Sequence, residues 1–238
     1  MKIFSFSQNG KRESQQDAVW ISGDQKLLLV CDGVGGTGDG ATASRLVVDY
    51  FEKNYKDLDR AGFVDKLGNV INDLVHQLKK AASITLKQLS TTIAMFYIDR
   101  GVGYFYHLGD SRIFYYSNKS AYSWISKDHS LVQDLFEIGV LSSEKEMRSH
   151  PMKNRVTKVL SSEFGLSKSD LEFVKKTDLL PGDKILICSD GVLENFSNSE
   201  IIDLLANNAE SAETTFEIIR RVCQENSKDN NSCIMAVI

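Results

Sequence analysis

Two apolar stretches of the chain each run into an Asp-Gly pair, and this repetition constrains the fold more than any other feature. Residues 27–31 precede Asp32 and a glycine-rich turn, and residues 185–188 lead through a serine to Asp190 and Gly191. Short apolar runs of this kind are typical of buried strands. If the strands are neighbours, two carboxylates meet beside an apolar core, where they repel and lose hydration unless protons or cations join them. A single Asp-Gly is usually a plain turn, but the pair predicts a cluster of hard divalent metal ions.

The composition bounds the class of protein. The 238 residues are 42% hydrophobic and 25% charged without a linker or repeat, so we expect a single domain over 1–238. The net charge of -4 and the dispersed basic residues argue against nucleic-acid binding. No apolar run suits a membrane span, and the first residues turn polar too soon for a signal peptide. None of the four cysteines forms a C-x-x-C pair, which disfavours zinc and predicts a reduced, cytoplasmic protein.

Hydrophobic periodicity predicts an α+β fold in which strands and helices do not alternate strictly. Helical spacing of apolar residues covers 40–56 and a second, longer helix from Phe63 to Leu78. Four strand-like runs between residues 92 and 125 predict an antiparallel meander. The other predicted elements are strands at 2–7, 18–21, 171–175, 184–189 and 233–238, helices at 131–136, 201–206 and 212–225, and capping boxes starting at Ser143 and Ser197. Residues 139–165 are polar and mixed, as expected of a mobile flap.

Aspartates stand at predicted strand edges or in adjoining loops, without a cluster of His or Cys. They are Asp17, Asp32, Asp110, Asp190 and Asp229. All-oxygen ligation favours magnesium, manganese or calcium over zinc or copper. Two such ions bridged by a carboxylate would hold and acidify a water, and the hydroxide could attack phosphorus in line while the ions neutralise the phosphoryl oxygens. Arg12, shortly before Asp17, has the planar guanidinium that suits a phosphate.

An ordered series of motifs connects these positions. It comprises Gly10-Lys11-Arg12 with Asp17, Val30-Cys31-Asp32-Gly33-Val34-Gly35-Gly36, Ser90-Thr91-Thr92, Leu108-Gly109-Asp110-Ser111-Arg112, Lys127-Asp128-His129-Ser130-Leu131-Val132, His150-Pro151 with Arg155, Cys188-Ser189-Asp190-Gly191, and Asp229-Asn230. This series resembles the bacterial metal-dependent protein phosphatases of type 2C, the PPM family. The resemblance implies a four-layer αββα sandwich, in which two packed antiparallel β-sheets are flanked by helices and the metals lie at one end of the sheets.

The resemblance also implies roles for individual residues around two to three Mn2+ or Mg2+ ions. Asp32 would bridge two ions together with the carbonyl oxygen of Gly33. Asp190 and Asp229 would complete the shell of one ion, and Asp17 would hold the other.

Further positions follow from the same resemblance. Asp110, together with Asp190, matches a third and weaker ion, and Arg12 matches the arginine that grips the phosphate. Residues 139–155 match the variable flap beside the substrate, in which Gly139, His150 and Arg155 are the candidate residues.

The sequence departs from the family pattern at three positions. Gln16 stands where many relatives carry an acid, Ser90 replaces a glycine, and Val34 replaces the histidine that eukaryotic members carry as a proposed general acid. Every metal-ligand position is kept, so an active enzyme is favoured over an inactive relative. Outside the ligands, we expect structural roles for His107 and His129, and a structural ion pair for Arg112.

The implied function is a metal-dependent serine/threonine protein phosphatase that hydrolyses phosphoserine and phosphothreonine by direct attack of a hydroxide bridging two metals, without a phosphoenzyme. Phosphorylated proteins and a cognate serine/threonine kinase are the implied partners. Two alternatives stay open: a two-metal hydrolase of other phosphate esters, and a weakly active or inactive relative that acts as a binding module. A dinucleotide-binding reading of Gly33-Val34-Gly35-Gly36-Thr37-Gly38 is disfavoured because Asp32 would repel the pyrophosphate and the following helix leads to another helix.

Overall fold

A computed structural model describes residues 1–34, 38–60, 62–207 and 209–238. The predicted glycine-rich turn at Gly35, Gly36 and Thr37 lies outside the described residues. Within the described ranges, the strands form two five-stranded sheets and one two-stranded pair, and their pairings are antiparallel. This arrangement contradicts the dinucleotide-binding reading, which needs parallel strands.

Each large sheet gathers strands from distant parts of the chain. The first sheet contains, in spatial order, β1 (Lys2–Gln8), β12 (Asn231–Val237), β11 (Lys184–Cys188), β7 (Arg112–Ser117) and β8 (Tyr122–Ile125). The second contains β10 (Lys175–Asp178), β6 (Val102–Leu108), β5 (Ile93–Asp99), β3 (Leu27–Asp32) and β2 (Asp17–Ile21). The short pair consists of β4 (Ser90–Thr91) and β9 (Leu160–Ser161).

Helices cover the outer face of each sheet. Helices α1 (Gly40–Arg60) and α2 (Phe63–Thr85) pack on the second sheet, whereas α6 (Asn198–Ala206) and α7 (Ala212–Asn226) pack on the first. The remaining helices are α3 (Leu131–Glu137), α4 (Glu144–Ser149), a 3-10 helix (Lys168–Leu171) and α5 (Asp190–Leu193). The predicted four-layer αββα sandwich is therefore confirmed. None of the helices in the described ranges has the length and apolar character that crossing a bilayer requires.

Strand β3 shows why the apolar runs are continuous. Leu28 and Val30 face the layer between the sheets, while Leu29 and Cys31 face α1 and α2. A strand that is buried on both faces cannot alternate apolar and polar residues. Strand β11 has the same design. Asp32 is the last residue of β3, and Asp190 lies two residues after the end of β11.

The predicted meander over 92–125 is wrong in its middle connection. Strands β5 and β6 pair in the second sheet and β7 and β8 pair in the first, but β6 and β7 belong to different sheets. Residues 109–111 carry the chain across, starting with Gly109 at φ +114°. Alternation of apolar residues identifies strands but does not tell a hairpin from a crossover.

Smaller predictions also needed correction. The strand expected at 171–175 begins only at Lys175, because a 3-10 helix over Lys168–Leu171 precedes it and Phe173 packs against the core as a loop residue. The capping box at Ser197 is confirmed. At Ser143 the box is incomplete, because the Glu146 carboxylate accepts from the backbone N–H of Ser142 (2.7 Å) instead.

Candidate metal and phosphate site

Antiparallel pairing places the first two aspartates side by side. Asp17 is the first residue of β2 and Asp32 the last of β3, and the register sets them directly opposite each other. Directly opposed residues have Cβ atoms about 5 Å apart. The Asp32 carboxyl also reaches that of Asp190, so it is the residue shared by the cluster.

Asp190 and Asp229 are brought together by the neighbouring ends of β11 and β12. Asp190 begins α5 directly after β11, and Asp229 lies in the turn that precedes β12. The two segments touch so closely that a Cβ on Gly191 would stand 2.0 Å from the carbonyl oxygen of Asn230. The Ser227 hydroxyl donates to the Gly191 carbonyl oxygen (2.9 Å), which fixes the turn against α5.

Asp110 lies on the crossover between the two sheets. The hydroxyls of Thr92 and Ser111 are 2.7 Å apart, which ties the crossover to the start of β5. The backbone N–H of Asp32 donates to the Thr92 hydroxyl (2.9 Å). Both sheets therefore contribute aspartates to the same end of the sandwich.

Burial and mutual repulsion dominate the electrostatics of this cluster. Burial raises the pKa of Asp17 to about 6, and burial together with the charge of Asp229 raises the pKa of Asp190 to about 7. The pKa values of Asp32 and Asp110 lie well above the usual range because both carboxyls are buried and face Asp190. Cations in the cluster would reverse these shifts by stabilising the ionised forms.

One carboxylate oxygen of Asp17 has no hydrogen-bond partner and is available to a ligand. The Ser189 hydroxyl donates to Asp17 Oδ2 (2.7 Å) and itself accepts from the backbone N–H of Ser232 (2.9 Å). Asp17 Oδ1 is buried without a hydrogen-bond partner. An uncompensated buried oxygen of this kind is costly unless a cation or water contacts it.

The Gly33 carbonyl sits where a side chain is missing. A Cβ on Gly40 would approach the Gly33 oxygen to 2.6 Å, so this glycine at the start of α1 keeps the space open. The backbone of Gln16 supports the same turn, because its carbonyl accepts from the N–H of Gly33 (3.1 Å) and its N–H donates to Asn230 Oδ1 (2.9 Å). Position 16 therefore acts through its backbone here.

Arg12 contacts the aspartates directly. Its Nη2 lies 2.7 Å from Asp229 Oδ2, and the hydrogen bond and charge of Asp229 raise the pKa of Arg12. No three His, Cys, Asp or Glu side chains of the described residues form a ready-made ion-binding group in this arrangement. Even so, the all-oxygen donor set, the unpartnered Asp17 oxygen and the raised pKa values fit hard divalent cations.

A polar cavity of about 500 Å³ opens over the cluster. It is lined by Arg12, Glu13, Ser14, Gln16, Asp32, Gly33, Val34, Thr92, Asp110, Asn154, Val156, Asp190, Asp229 and Asn230. Asp17 lies beneath this surface. Val34 presents an apolar side chain here, so position 34 offers no proton donor.

The flap candidates lie farther out. Gly139 follows the C-cap of α3 and adopts the left-handed region (φ +78°). His150 is the C-cap of α4, and its Nδ1 accepts from the N–H of Met152 (3.1 Å). The exposed Arg155 contributes its backbone carbonyl to the N–H of Leu131 (2.9 Å). The flap residues that line the polar cavity are Asn154 and Val156.

The residues that we expect to be structural contact other protein groups. Arg112 forms a bidentate ion pair with Asp128, with both N–O distances 2.6 Å. The rings of His107 and His129 stack at 4.8 Å, and His129 Nδ1 accepts from the N–H of Gly109 (3.2 Å). These contacts join the crossover to the segment that contains Asp128 and His129 and precedes α3.

Two residues that support the site were not predicted from the sequence. Asn230 donates to the carbonyls of Asn9 (3.0 Å) and Ser14 (2.9 Å), which fixes the loop that carries Arg12. Glu194 Oε2 accepts from the backbone N–H of Lys228 (2.7 Å) and of Asp229 (3.3 Å). Asn230 stands in a quoted motif beside Asp229, so its position was a usable signal, whereas nothing in the local sequence marks Glu194.

Comparison with known proteins identifies the family to which the chain belongs. A family model described as protein phosphatase 2C matches residues 7–232. The chain belongs to the protein phosphatase 2C family. The family resemblance and the protein-phosphatase class expected from the sequence are thereby confirmed.

Individual members of the protein phosphatase 2C family align over nearly the whole chain. Protein phosphatase PhpP of Streptococcus pneumoniae is 28% identical over 231 residues, covering 92% of this chain and 90% of that protein. The serine/threonine phosphatase PstP/Ppp of Mycobacterium tuberculosis superposes with a TM-score of 0.84 at 21% identity, covering 100% of this chain and 98% of that one. The catalytic domain of PstP in complex with two manganese ions gives a TM-score of 0.81 at 20% identity, covering 99% and 97%.

Proposed function

We propose that the chain is a metal-dependent phosphatase that hydrolyses phosphoserine and phosphothreonine in proteins, as one catalytic domain over 1–238. The observation that carries this proposal is the convergence of aspartates from both sheets beneath a polar cavity bordered by Arg12. The names of some relatives support the substrate class, since the Listeria welshimeri protein stp and PstP/Ppp are described as serine/threonine phosphatases.

Two to three Mn2+ or Mg2+ ions would be held by the aspartates. Asp17, Asp32, Asp190, Asp229 and the Gly33 carbonyl would together hold two of them. Asp110 together with Asp190 would hold the weaker third ion. When bound, the ions supply Lewis acidity, which acidifies water and offsets charge on the phosphoryl oxygens. The manganese complex of PstP supports this choice of metal.

Arg12 would bind the phosphate. Its guanidinium is 61% exposed and contacts one oxygen of Asp229, so it can turn to a phosphate in the cavity without leaving a buried charge behind. A planar guanidinium can bind two phosphate oxygens at once, which orients the ester for in-line attack. The ester P–O bond breaks as a water oxygen bonds to phosphorus. Serine or threonine leaves as the free hydroxyl with a proton that derives from water, because the Val34 side chain has none to donate.

The flap would meet the protein substrate. Gly139, His150 and Arg155 remain the proposed substrate-side residues, with Asn154 and Val156 at the cavity edge. The four cysteines, which are all free and buried, support a cytoplasmic location. A serine/threonine kinase that phosphorylates the same proteins would be the partner of opposite activity.

The test is phosphate release from a phosphothreonine peptide with manganese, with chelator, and by two variants. We expect activity that requires metal, is abolished in Asp190→Asn and is kept in Asp203→Asn, which changes an exposed aspartate of α6. Hydrolysis of small phosphate esters but of no phosphopeptide would favour a hydrolase of other esters. A folded protein that binds metal and hydrolyses neither would be a binding module.

A further inference from the structure

A second cavity of about 490 Å³ adjoins the polar one on the side of the flap. The two cavities share four lining residues, Asp110, Asn154, Asp190 and Asp229. A molecule bound over the aspartates therefore contacts both cavities. Cavities of this size accommodate small ligands or parts of larger ones.

Part of the wall of the second cavity is apolar, which distinguishes it from the more polar first cavity. Its apolar lining residues are Ile125, Val132, Phe136, Met147 and Leu193. Val132 and Met147 are buried, whereas Phe136 on α3 is 40% exposed and forms the outer part of the wall. Displacement of water from such a surface by an apolar group is favourable.

Three positively charged groups of this cavity already have protein partners. Arg112 is paired with Asp128, and Lys127 Nζ lies 2.9 Å from Glu137 Oε1. Arg148 on α4 donates to the backbone carbonyl of Phe196. These three groups therefore do not depend on an occupant, which leaves the apolar wall and the exposed Lys153 as the features that can select it. An apolar side chain would favour the wall, whereas an acidic one would favour Lys153.

We infer that this cavity receives the apolar side chain of a residue that flanks the phosphoserine or phosphothreonine of a protein substrate. The inference rests on the proposed function and names a preference within it. Consecutive Cα atoms are about 3.8 Å apart, so a peptide whose phosphate lies beside Arg12 reaches the adjoining cavity within one or two residues. The cavity would thus distinguish among phosphorylation sites by their neighbours.

The experiment compares phosphothreonine peptides that carry leucine, glycine or aspartate at each flanking position. For wild type with manganese, we expect kcat/KM to be roughly tenfold higher with leucine than with glycine at one of these positions. No preference, or a preference for aspartate, would overturn the inference. If no peptide is hydrolysed at all, the proposed function itself fails.

Two matched variants on α3 and directly after it assign the preference to the cavity. Phe136→Ser removes part of the wall, whereas Ile138→Ser changes a residue that is 73% exposed and does not line the cavity. We expect the leucine preference to be lost only in Phe136→Ser, and circular dichroism of both variants reports on folding. Equal effects of the two substitutions, or a preference retained in Phe136→Ser, would refute the assignment.

Discussion

The two walls of the candidate site are held in place by different means. The sandwich wall consists of residues fixed by strand register and buried hydrogen bonds, such as Asp17 opposite Asp32. The flap wall is attached through a few contacts, including Arg148 to the Phe196 carbonyl and Glu144 Oε1 to the N–H of Asn198 (3.0 Å). On the proposed function, the chemistry would belong to the sandwich wall, which is the rigid wall. Selection among substrates would belong to the flap wall, which can change at a lower cost in stability.

The largest effect is expected at the residue shared by the cluster. Asp32→Asn should lower kcat/KM by roughly a thousandfold, because metal-assisted stabilisation of several kcal/mol would be lost. The loss should be equal for a phosphopeptide and for p-nitrophenyl phosphate, since the rigid wall serves both. Steady-state kinetics measure it, and circular dichroism confirms folding. A loss that affects only the peptide would place the chemistry elsewhere.

A smaller effect is expected at Glu194, which holds the turn that carries Asp229. Glu194→Ala removes the carboxylate that accepts from the N–H groups of Lys228 and Asp229, so manganese affinity should fall about 10- to 100-fold. Glu194→Gln keeps an acceptor oxygen and should lose less. Calorimetric titration with manganese measures both, and Glu213→Gln, an exposed change on α7, is the control. Unchanged affinity in Glu194→Ala would show that the turn holds Asp229 by itself.

A substitution that weakens the attachment of the flap wall should change its hydrogen exchange. Arg148→Ala removes the contact to the Phe196 carbonyl, so amide hydrogen exchange over residues 139–155 should accelerate several-fold while β3 and β11 stay protected. Lys145→Ala, an exposed change on the same helix, should leave exchange unchanged. Faster exchange in the sheets as well would mean that the two walls are one cooperative unit.

The last effect depends on pH and concerns the boundary between the walls, where His107 stacks on His129. Burial, and then the neighbouring His129, lowers the pKa of His107 to about 3, compared with about 6.5 for an unfolded histidine. Between these values the unfolded chain binds a proton that the folded chain does not. The stabilisation is therefore complete above about pH 6.5 and is lost as the pH falls, by up to about 1.4 kcal/mol per unit.

Urea denaturation at pH 7, 6 and 5 measures this dependence. His107→Phe should show a shallower loss of the free energy of unfolding on acidification than wild type, by about one proton. Parallel curves for the two proteins would show that His107 does not contribute.

The sequence predicted the features that lie within a short stretch of chain. Both apolar strands and the carboxylates that follow them were recognisable because burial on both faces leaves an uninterrupted apolar run, as at Leu27–Asp32. The resemblance then supplied the sandwich, since the order of the motifs carries information that periodicity does not.

Features that depend on contacts between distant residues were not predictable. The N–H of Gln16 meets Asn230 across 214 positions, and the support that Glu194 gives to Asp229 crosses 35. The crossover at 109–111 was mistaken for a hairpin because strand pairing is decided by the whole sheet and not by the local pattern.

The chain passes between the sheets through residues 109–111, and the segment between β1 and β2 makes the same passage with Arg12 on it. Either sheet alone would hold only part of the aspartate cluster, so the site comes into being when the sheets dock. The recovery of phosphatase activity during refolding would therefore time the docking of the two sheets, whereas far-ultraviolet circular dichroism would time the appearance of their strands.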